Sequence, residues 1–149
     1  MPPAVPPQRI VLVRHGETEW SLSGRHTSIT DIPLDAEGER RALLLKPLLS
    51  GWKFNLVLCS PRLRAKKTCE LAGLGGEAEI VDDLAEWYYG SYEGLTTSEI
   101  QSLVPNWTVF SHPCPDGESA SDVAARIDRV ISRVRHVSGD VLLFGHGHS

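Results

Sequence analysis

The stretch Arg14-His15-Gly16-Glu17 carries residue types that can bind and attack an anion. The guanidinium of Arg14 can hold two oxygens of a phosphate or a carboxylate, and a neutral His15 imidazole is a nucleophile near pH 7. Gly16 has no side chain where the backbone must turn away and a ligand must approach. On its own, such an Arg-His pair is more often a turn with solvated charge than a binding site.

The apolar run 10–13, Ile-Val-Leu-Val, comes directly before this stretch and predicts a buried parallel strand. Open α/β sheets bind ligands at the carboxyl ends of such strands. A second histidine, His146, follows a similar run at 141–144, Val-Leu-Leu-Phe. Further strands are predicted at 55–59 and 79–81, and helices alternate with them, which favours a parallel sheet with right-handed crossovers. Both histidines are therefore expected at the same edge of the sheet.

Two other residues have the chemistry of a site. Arg62 lies near the start of the helix opened by Ser60-Pro61, where free backbone N–H groups favour an anion. Glu86 lies in the loop 84–94, which is dense in aromatic residues and glycine. A carboxyl group against aromatic rings is poorly solvated when ionised, so its pKa rises and it can donate a proton near neutrality. The alternative, a carboxylate that faces water beside a core of rings, is about as frequent.

Length and composition limit the classes of function. The 149 residues predict one domain over 9–149, preceded by a flexible proline-rich tail over 1–8. A formal net charge of −4 argues against a nucleic-acid partner, and no apolar run is long enough to predict a membrane span. Three cysteines without metal or redox spacing argue against a disulfide framework and favour a reducing, cytoplasmic location.

Four motifs, taken in chain order, resemble those of the histidine phosphatase superfamily, also called the phosphoglycerate-mutase-like family. They are Arg14-His15-Gly16-Glu17-Thr18, Ser60-Pro61-Arg62 with Ala65 and Thr68, Glu86-Trp87-Tyr88-Tyr89-Gly90, and Gly145-His146-Gly147. The resemblance covers residues 10–149 and implies an α/β fold in three α/β/α layers with a mainly parallel sheet. Because the family continues beyond the second histidine, the chain is expected to lack the C-terminal part of the family domain.

The resemblance also implies a chemistry for each motif residue. His15 would attack phosphorus and become phosphohistidine, while Arg14, Arg62 and His146 would hold the phosphoryl oxygens. Glu86 would protonate the leaving alcohol and later take a proton from the attacking water. Ser21 and Thr27 fall where the family has residues that touch the phosphate. No metal or cofactor is then expected, because the guanidiniums supply the positive charge that phosphoryl transfer requires.

The resemblance favours a phosphatase within this family. Mutases of this family carry a long basic insertion between the acid and the second histidine, whereas here that interval holds 59 residues, with its arginines confined to the predicted helix 119–137. Other motifs are similar to those of small acid phosphatases and sugar-bisphosphate phosphatases, which implies a small phosphorylated metabolite as the substrate and leaves a homodimer open. The alternatives are a phosphoglycerate mutase and a non-catalytic phosphate-binding module. A zinc hydrolase using His15, His146 and His148 lacks a carboxylate or cysteine at ligand spacing.

Overall fold

One parallel sheet forms the centre of the molecule, as the computed structural model of residues 1 and 6–149 describes it. Its strands are β1 (Ile10–Arg14), β2 (Phe54–Cys59), β3 (Glu79–Ile80) and β4 (Asp140–Gly145), in the spatial order β1-β4-β2-β3. Each neighbouring pair is parallel. The helices are α1 (Glu19–Leu22), α2 (Ala36–Leu49), α3 (Leu63–Leu71), α4 (Thr97–Leu103) and α5 (Ala120–Arg135), with 3₁₀ turns at Asp82–Leu84 and Gly90–Tyr92. The predicted parallel α/β architecture is confirmed.

Helices cover both faces of the sheet because the side chains of each strand alternate between the two faces. On one face, Leu142 and Phe144 of β4 pack in a core that α2 and α3 close. On the other face, Val141 packs against Val130 and Val134 of α5. The result is the predicted three-layer α/β/α arrangement, in which the central strand β4 is buried on both sides.

Strand β1 departs from the expectation of a fully buried strand. Its residues Val11 and Val13 pack against the core beneath α2 and α3, but Ile10 and Leu12 on the opposite face are 51% and 74% exposed. The prediction was wrong for this face because β1 is the outer strand of the sheet and α5 lies over β4 and β2. A groove of about 580 Å³ lies between β1 and α5.

A separate aromatic core lies beside the sheet and is built by the segment between β3 and α5. It contains Trp87, Tyr89, Tyr92, Ile100, Trp107, Val109, Cys114 and Val123. Helix α4 and the following helix α5 each start at a capping box, in which the N-cap hydroxyl and the carboxylate three residues later each accept a hydrogen bond from a backbone N–H. The residues are Thr96 with Glu99 in α4 and Ser119 with Asp122 in α5. This core therefore fixes the loop that carries Glu86.

The N-terminal tail predicted over residues 1–8 lies partly outside the described residues, because the structure describes none of residues 2–5. Gln8, the last residue of that prediction, donates hydrogen bonds from its side chain to the carbonyl oxygens of Val134 (3.0 Å) and Val137 (2.7 Å). Of the helices in the described ranges, none has the length and apolar character needed to cross a membrane.

Candidate active site

The loops that follow β1, β2 and β4 meet at the carboxyl edge of the sheet. Arg14 and Gly145 are paired in register, and the backbone N–H of His15 donates to the Gly145 carbonyl at 3.1 Å. The backbone N–H of Ser60 donates to Phe144 in the same way at 2.9 Å. As a result, the rings of His15 and His146 lie with their centroids 5.1 Å apart. The expectation that both histidines share one edge is confirmed.

The His15 ring is held in a neutral form with one ring nitrogen unprotonated. Its Nδ1 lies 2.7 Å from the carbonyl oxygen of Gly16. Since a carbonyl can only accept, Nδ1 carries the ring proton and Nε2 keeps its lone pair. Burial, together with the charges of Arg64 and Arg14, lowers the pKa of His15 to about 4, although the hydrogen bond to the Gly16 carbonyl opposes this shift. At neutral pH, Nε2 is therefore free to attack an electrophile.

Helices α2 and α3 hold the loop that carries this nucleophile. The backbone N–H of Gly16 donates to the hydroxyl of Thr68 (2.9 Å), which in turn donates to the carbonyl of Arg64 (2.7 Å). From the other side, a Cβ atom at Gly16 would lie 2.7 Å from the carbonyl oxygen of Gly38 in α2. Glycine is therefore required at position 16 because two backbone segments touch there.

The hydroxyl of Ser60 orients the second histidine. Its oxygen lies 2.7 Å from Nε2 of His146 and also accepts the backbone N–H of Arg62 at 3.3 Å. Among the described residues, Nε2 is the acceptor available to the hydroxyl proton of Ser60, so Nδ1 of His146 carries the ring proton. This Nδ1 is buried and has no hydrogen-bond partner in the described structure. Burial, with the charge of Arg64 next in importance, lowers the pKa of His146.

The side chain of Arg62, predicted as a phosphate ligand, is half-buried at the N-terminus of α3. Arg62 is the N-cap residue of the helix and has an extended backbone. Its Nε atom is buried, and no residue in the described ranges accepts a hydrogen bond from it. A guanidinium with an unpaired Nε fits an anion ligand, although the first backbone N–H of the helix, that of Leu63, is already taken by the carboxylate of Asp31 at 3.0 Å.

Arg64 is a second candidate for an anion ligand, and the comparison of motifs did not single it out. It is fully buried, and its guanidinium donates to the carbonyl oxygens of Thr27 (2.9 Å), Ser28 (3.2 Å) and Thr30 (3.1 Å), while its Nε has no partner within the described chain. No carboxylate of the described residues accepts a hydrogen bond from it. Its charge lowers the pKa of both His15 and His146.

The acid expected from the aromatic loop is buried at this edge. Glu86 is 8% exposed, and one carboxylate oxygen accepts the backbone N–H groups of Trp87 (2.8 Å) and His148 (3.0 Å). The other oxygen accepts the N–H of Gly147 at 3.2 Å. Burial raises the pKa of Glu86, although these three N–H groups and the charge of Arg64 oppose the rise. A raised pKa suits a group that must donate a proton.

An ion pair between the buried Arg126 and the half-buried Glu118, which the sequence analysis did not single out, braces the loop that carries Glu86. Arg126 of α5 donates to both carboxylate oxygens of Glu118 (2.8 and 2.9 Å) and to the carbonyls of Asp83 (2.9 Å) and Ala85 (2.7 Å). Glu118 also accepts the backbone N–H of Tyr88 at 2.8 Å. The pair therefore holds the chain on both sides of position 86.

Ser21 and Thr27 line the same cavity, but their hydroxyl protons are committed elsewhere. The Ser21 hydroxyl accepts the N–H of Thr18 (2.9 Å) and donates to the Thr18 carbonyl (3.0 Å), which closes the capping box of α1. The Thr27 hydroxyl donates to the carbonyl of Arg25 at 2.9 Å. In this arrangement neither hydroxyl can donate to a phosphate oxygen, and their role as phosphate ligands stays a prediction.

A cavity of about 280 Å³ lies at this edge and is lined by Arg14, His15, Ser21, Gly24, Arg25, His26, Thr27, Glu86, Tyr89, Thr97, Gly147 and His148. Arg62, Arg64 and His146 are not among its lining residues, and His146 instead borders the groove between β1 and α5. Over residue 1 and residues 6–149, no group of three or more His, Cys, Asp or Glu side chains is arranged to hold a metal ion. The lining combines cations, a neutral nucleophile and an acid, which is the set required to move an anionic group.

Comparison with known proteins places the chain in a family. A sequence model of the histidine phosphatase superfamily (branch 1) matches residues 10–149. The chain is 46% identical to an acid phosphatase of Mycobacterium tuberculosis, in a match that covers 94% of this chain and 70% of that protein. It is 33% identical to the sedoheptulose 1,7-bisphosphatase of Saccharomyces cerevisiae, with 100% of this chain and 66% of that protein covered. A solved structure from M. tuberculosis has a TM-score of 0.88 at 44% identity, covering 95% of this chain and 75% of that one. The chain belongs to the histidine phosphatase superfamily.

Proposed function

We propose that this protein hydrolyses phosphomonoesters of small metabolites through a phosphohistidine on His15. The supporting observation is one cavity that is lined together by the neutral imidazole of His15, the guanidinium of Arg14 and the buried carboxyl of Glu86, whose pKa is raised by burial. A nucleophile, a cation and a proton donor around one space are the groups that phosphoryl transfer requires.

In the first step, the lone pair on Nε2 of His15 forms a bond to phosphorus while the bond from phosphorus to the ester oxygen breaks. Arg14, Arg62, Arg64 and His146 hold the other phosphoryl oxygens and stabilise the charge that they carry. Protonated Glu86 gives its proton to the leaving oxygen, so the product is a neutral alcohol. The protein accelerates this step by aligning the nucleophile and the acid with the ester and by placing positive charge around the phosphoryl oxygens.

In the second step, the carboxylate of Glu86 takes a proton from a water molecule. The oxygen of that water bonds to phosphorus as the bond from phosphorus to Nε2 breaks, and inorganic phosphate is released. Glu86 ends protonated and His15 ends neutral, which restores the starting state. The raised pKa of Glu86 fits both roles, because a catalytic acid and base works best when its pKa lies near the working pH.

Independence from metals is part of the proposal. Magnesium in other phosphoryl-transfer enzymes neutralises charge on the phosphoryl oxygens. In this site the guanidiniums of Arg14, Arg62 and Arg64 can supply that charge. Their planar forks also match the geometry of phosphate oxygens.

A phosphatase fits the described residues better than a mutase, whose phosphoglycerate needs further free cations for its carboxylate. Helix α5 carries four arginines, and three of them are already in ion pairs: Arg126 with Glu118, Arg129 with Asp83 and Arg133 with Glu79, at 2.8, 2.6 and 2.5 Å. None of the four lines the cavity that contains His15. The relatives named above are an acid phosphatase and a bisphosphatase, which supports the same choice.

A cytoplasmic location also belongs to the proposal. Cys59, Cys69 and Cys114 are all buried and unpaired, which fits a compartment that keeps thiols reduced. The homodimer stays a prediction, and the molar mass in solution measured by sedimentation tests it.

The experiment is an assay with p-nitrophenyl phosphate in the presence of EDTA. We expect turnover that EDTA leaves unchanged and that His15→Ala abolishes. Unchanged turnover in His15→Ala would end the proposal. Tight binding of vanadate without any turnover would instead support the non-catalytic module, and isomerisation of phosphoglycerate in the presence of bisphosphoglycerate would support the mutase.

A further inference from the structure

His148 lies beside the acid of the proposed reaction but has no role in it so far. Its backbone N–H donates to Glu86 at 3.0 Å, and its side chain lines the cavity that contains His15. Three aromatic rings stand edge-on to the imidazole: Trp87 at 6.5 Å, Tyr89 at 6.1 Å and Phe110 at 5.8 Å between ring centroids. The three rings therefore hold the imidazole in one orientation at the wall of the cavity.

The hydroxyl of Tyr89 determines which nitrogen of His148 carries a proton. Its oxygen lies 2.6 Å from Nδ1 of His148 and makes no other hydrogen bond within the described residues. Tyr89 is 2% exposed, so its hydroxyl must donate to a partner, and Nδ1 is the acceptor in reach. Burial raises the pKa of Tyr89 and lowers that of His148, so both groups are neutral at pH 7. Nε2 of His148 then carries the ring proton.

The Nε2 donor of His148 is open to the cavity. It has no hydrogen-bond partner in the described part of the chain, and it is not among the atoms closed off from solvent. Because His148 lines the same cavity as His15 and Glu86, we expect an ester bound there to bring the oxygens of its alcohol within reach of this donor. An alcohol that offers a second oxygen near its ester oxygen can accept this hydrogen bond.

We infer that His148, oriented by Tyr89, is a specificity-determining residue that donates a hydrogen bond to an oxygen of the leaving alcohol and so selects sugar and polyol phosphates. This inference rests on the proposed function. A site built to hydrogen-bond a substrate hydroxyl discriminates against the analogue that lacks it, since the polar group of the site is then left unpaired. Simple alkyl phosphates should therefore be the poorer substrates.

The test compares α-glycerol phosphate with n-propyl phosphate, which have the same carbon chain and differ in the neighbouring hydroxyls. The readout is the ratio of kcat/KM for the two esters in the parent protein and in His148→Phe. We expect the parent to favour α-glycerol phosphate and His148→Phe to lower the ratio by about twofold to tenfold, the value of one neutral hydrogen bond. His148→Gln keeps a donor and should retain most of the ratio. His136→Phe, at an exposed histidine after α5, is the control and should leave the ratio unchanged.

Tyr89→Phe is the second variant and keeps the test valid if His148→Phe does not fold. It leaves His148 in place but frees its Nδ1, so the ratio should fall by about twofold because either nitrogen can then hold the proton. An unchanged ratio in both variants would overturn the inference while leaving the proposed function intact. If the parent turns over neither ester, the proposed function fails. The inference is then tested by the ratio of the two dissociation constants, measured by calorimetry in the same variants: a ratio that falls in His148→Phe supports it, and an unchanged ratio overturns it.

Discussion

Replacing Thr68 by valine should remove the hydrogen bond that holds the loop of His15 against helix α3. Thr68 is buried, and its hydroxyl accepts the backbone N–H of Gly16 while donating to the carbonyl of Arg64. Valine has nearly the same shape but no polar atom. The Arg64 carbonyl keeps a partner in Thr68→Val, because an α-helix pairs it with the backbone N–H four residues later. The N–H of Gly16 loses its acceptor.

A buried N–H without a partner costs about 1–3 kcal/mol. Taking about 2 kcal/mol, and a shift of about 2–4 °C for each kcal/mol in a domain of this size, Thr68→Val should melt about 4–8 °C below the parent protein. The backbone next to His15 is then no longer fixed, so kcat/KM should fall on the order of tenfold, because small displacements of a nucleophile are costly. Thr68→Ser keeps the hydroxyl and should retain most of the activity.

The assay is a thermal melt followed by circular dichroism, with p-nitrophenyl phosphate turnover measured at a temperature where the parent and both variants are folded. A Thr68→Val protein that melts within 1 °C of the parent and keeps its kcat/KM would refute the reasoning. Such a result would mean that the N–H of Gly16 finds another acceptor, such as water, at no cost.

Three other perturbations test the parts that position the site. Arg126→Met leaves the half-buried Glu118 carboxylate unpaired and should lower the free energy of unfolding by about 3 kcal/mol, with a loss of kcat, as measured by urea denaturation and turnover. Gly38→Ala would place a Cβ atom where the Glu17 carbonyl oxygen is only 2.2 Å away, so we expect a loss of at least about 1–3 kcal/mol in the same measurement. For pH, the pKa of His15 is lowered from 6.5 to about 4 in the folded chain, so the unfolded chain binds more protons between these values. The free energy of unfolding is therefore unaffected by His15 above pH 6.5 and decreases as the pH falls from 6.5 toward 4. Over this window, the melting temperature of the parent should drop more than that of His15→Gln.

The strands were predictable because their signal is local. Continuous apolar runs bounded by turn residues identified β2 and β4 to within a residue or two. The exposure of one face of β1 was not predictable, because an apolar run has the same sequence pattern whether or not a helix covers it. Whether Leu12 is covered depends on where α5 crosses the sheet, which is set by distant parts of the chain.

The side chains that are proposed to react were also singled out from local patterns, whereas the groups that support them were not. His15, His146 and Glu86 each follow a strand or lie in a recognisable loop. Arg64 was missed because its importance depends on helix phase: it lies four residues before Thr68 and so shares the inward face of α3. Attention to that spacing would have found it. Arg126 and Glu118 are only eight residues apart, but the carbonyls of Asp83 and Ala85 that Arg126 also contacts lie 43 and 41 residues away, so the local sequence does not reveal the role of the pair.

Trapping the covalent intermediate tests the central claim most directly. The parent protein, quenched in alkali within milliseconds of mixing with a phosphomonoester and EDTA, should carry one phosphoryl group, stable to alkali and labile to acid, that mass spectrometry of the peptides places on His15. The same group should be absent from His15→Ala. A phosphoryl group on another residue, or steady turnover by His15→Ala, would contradict the account.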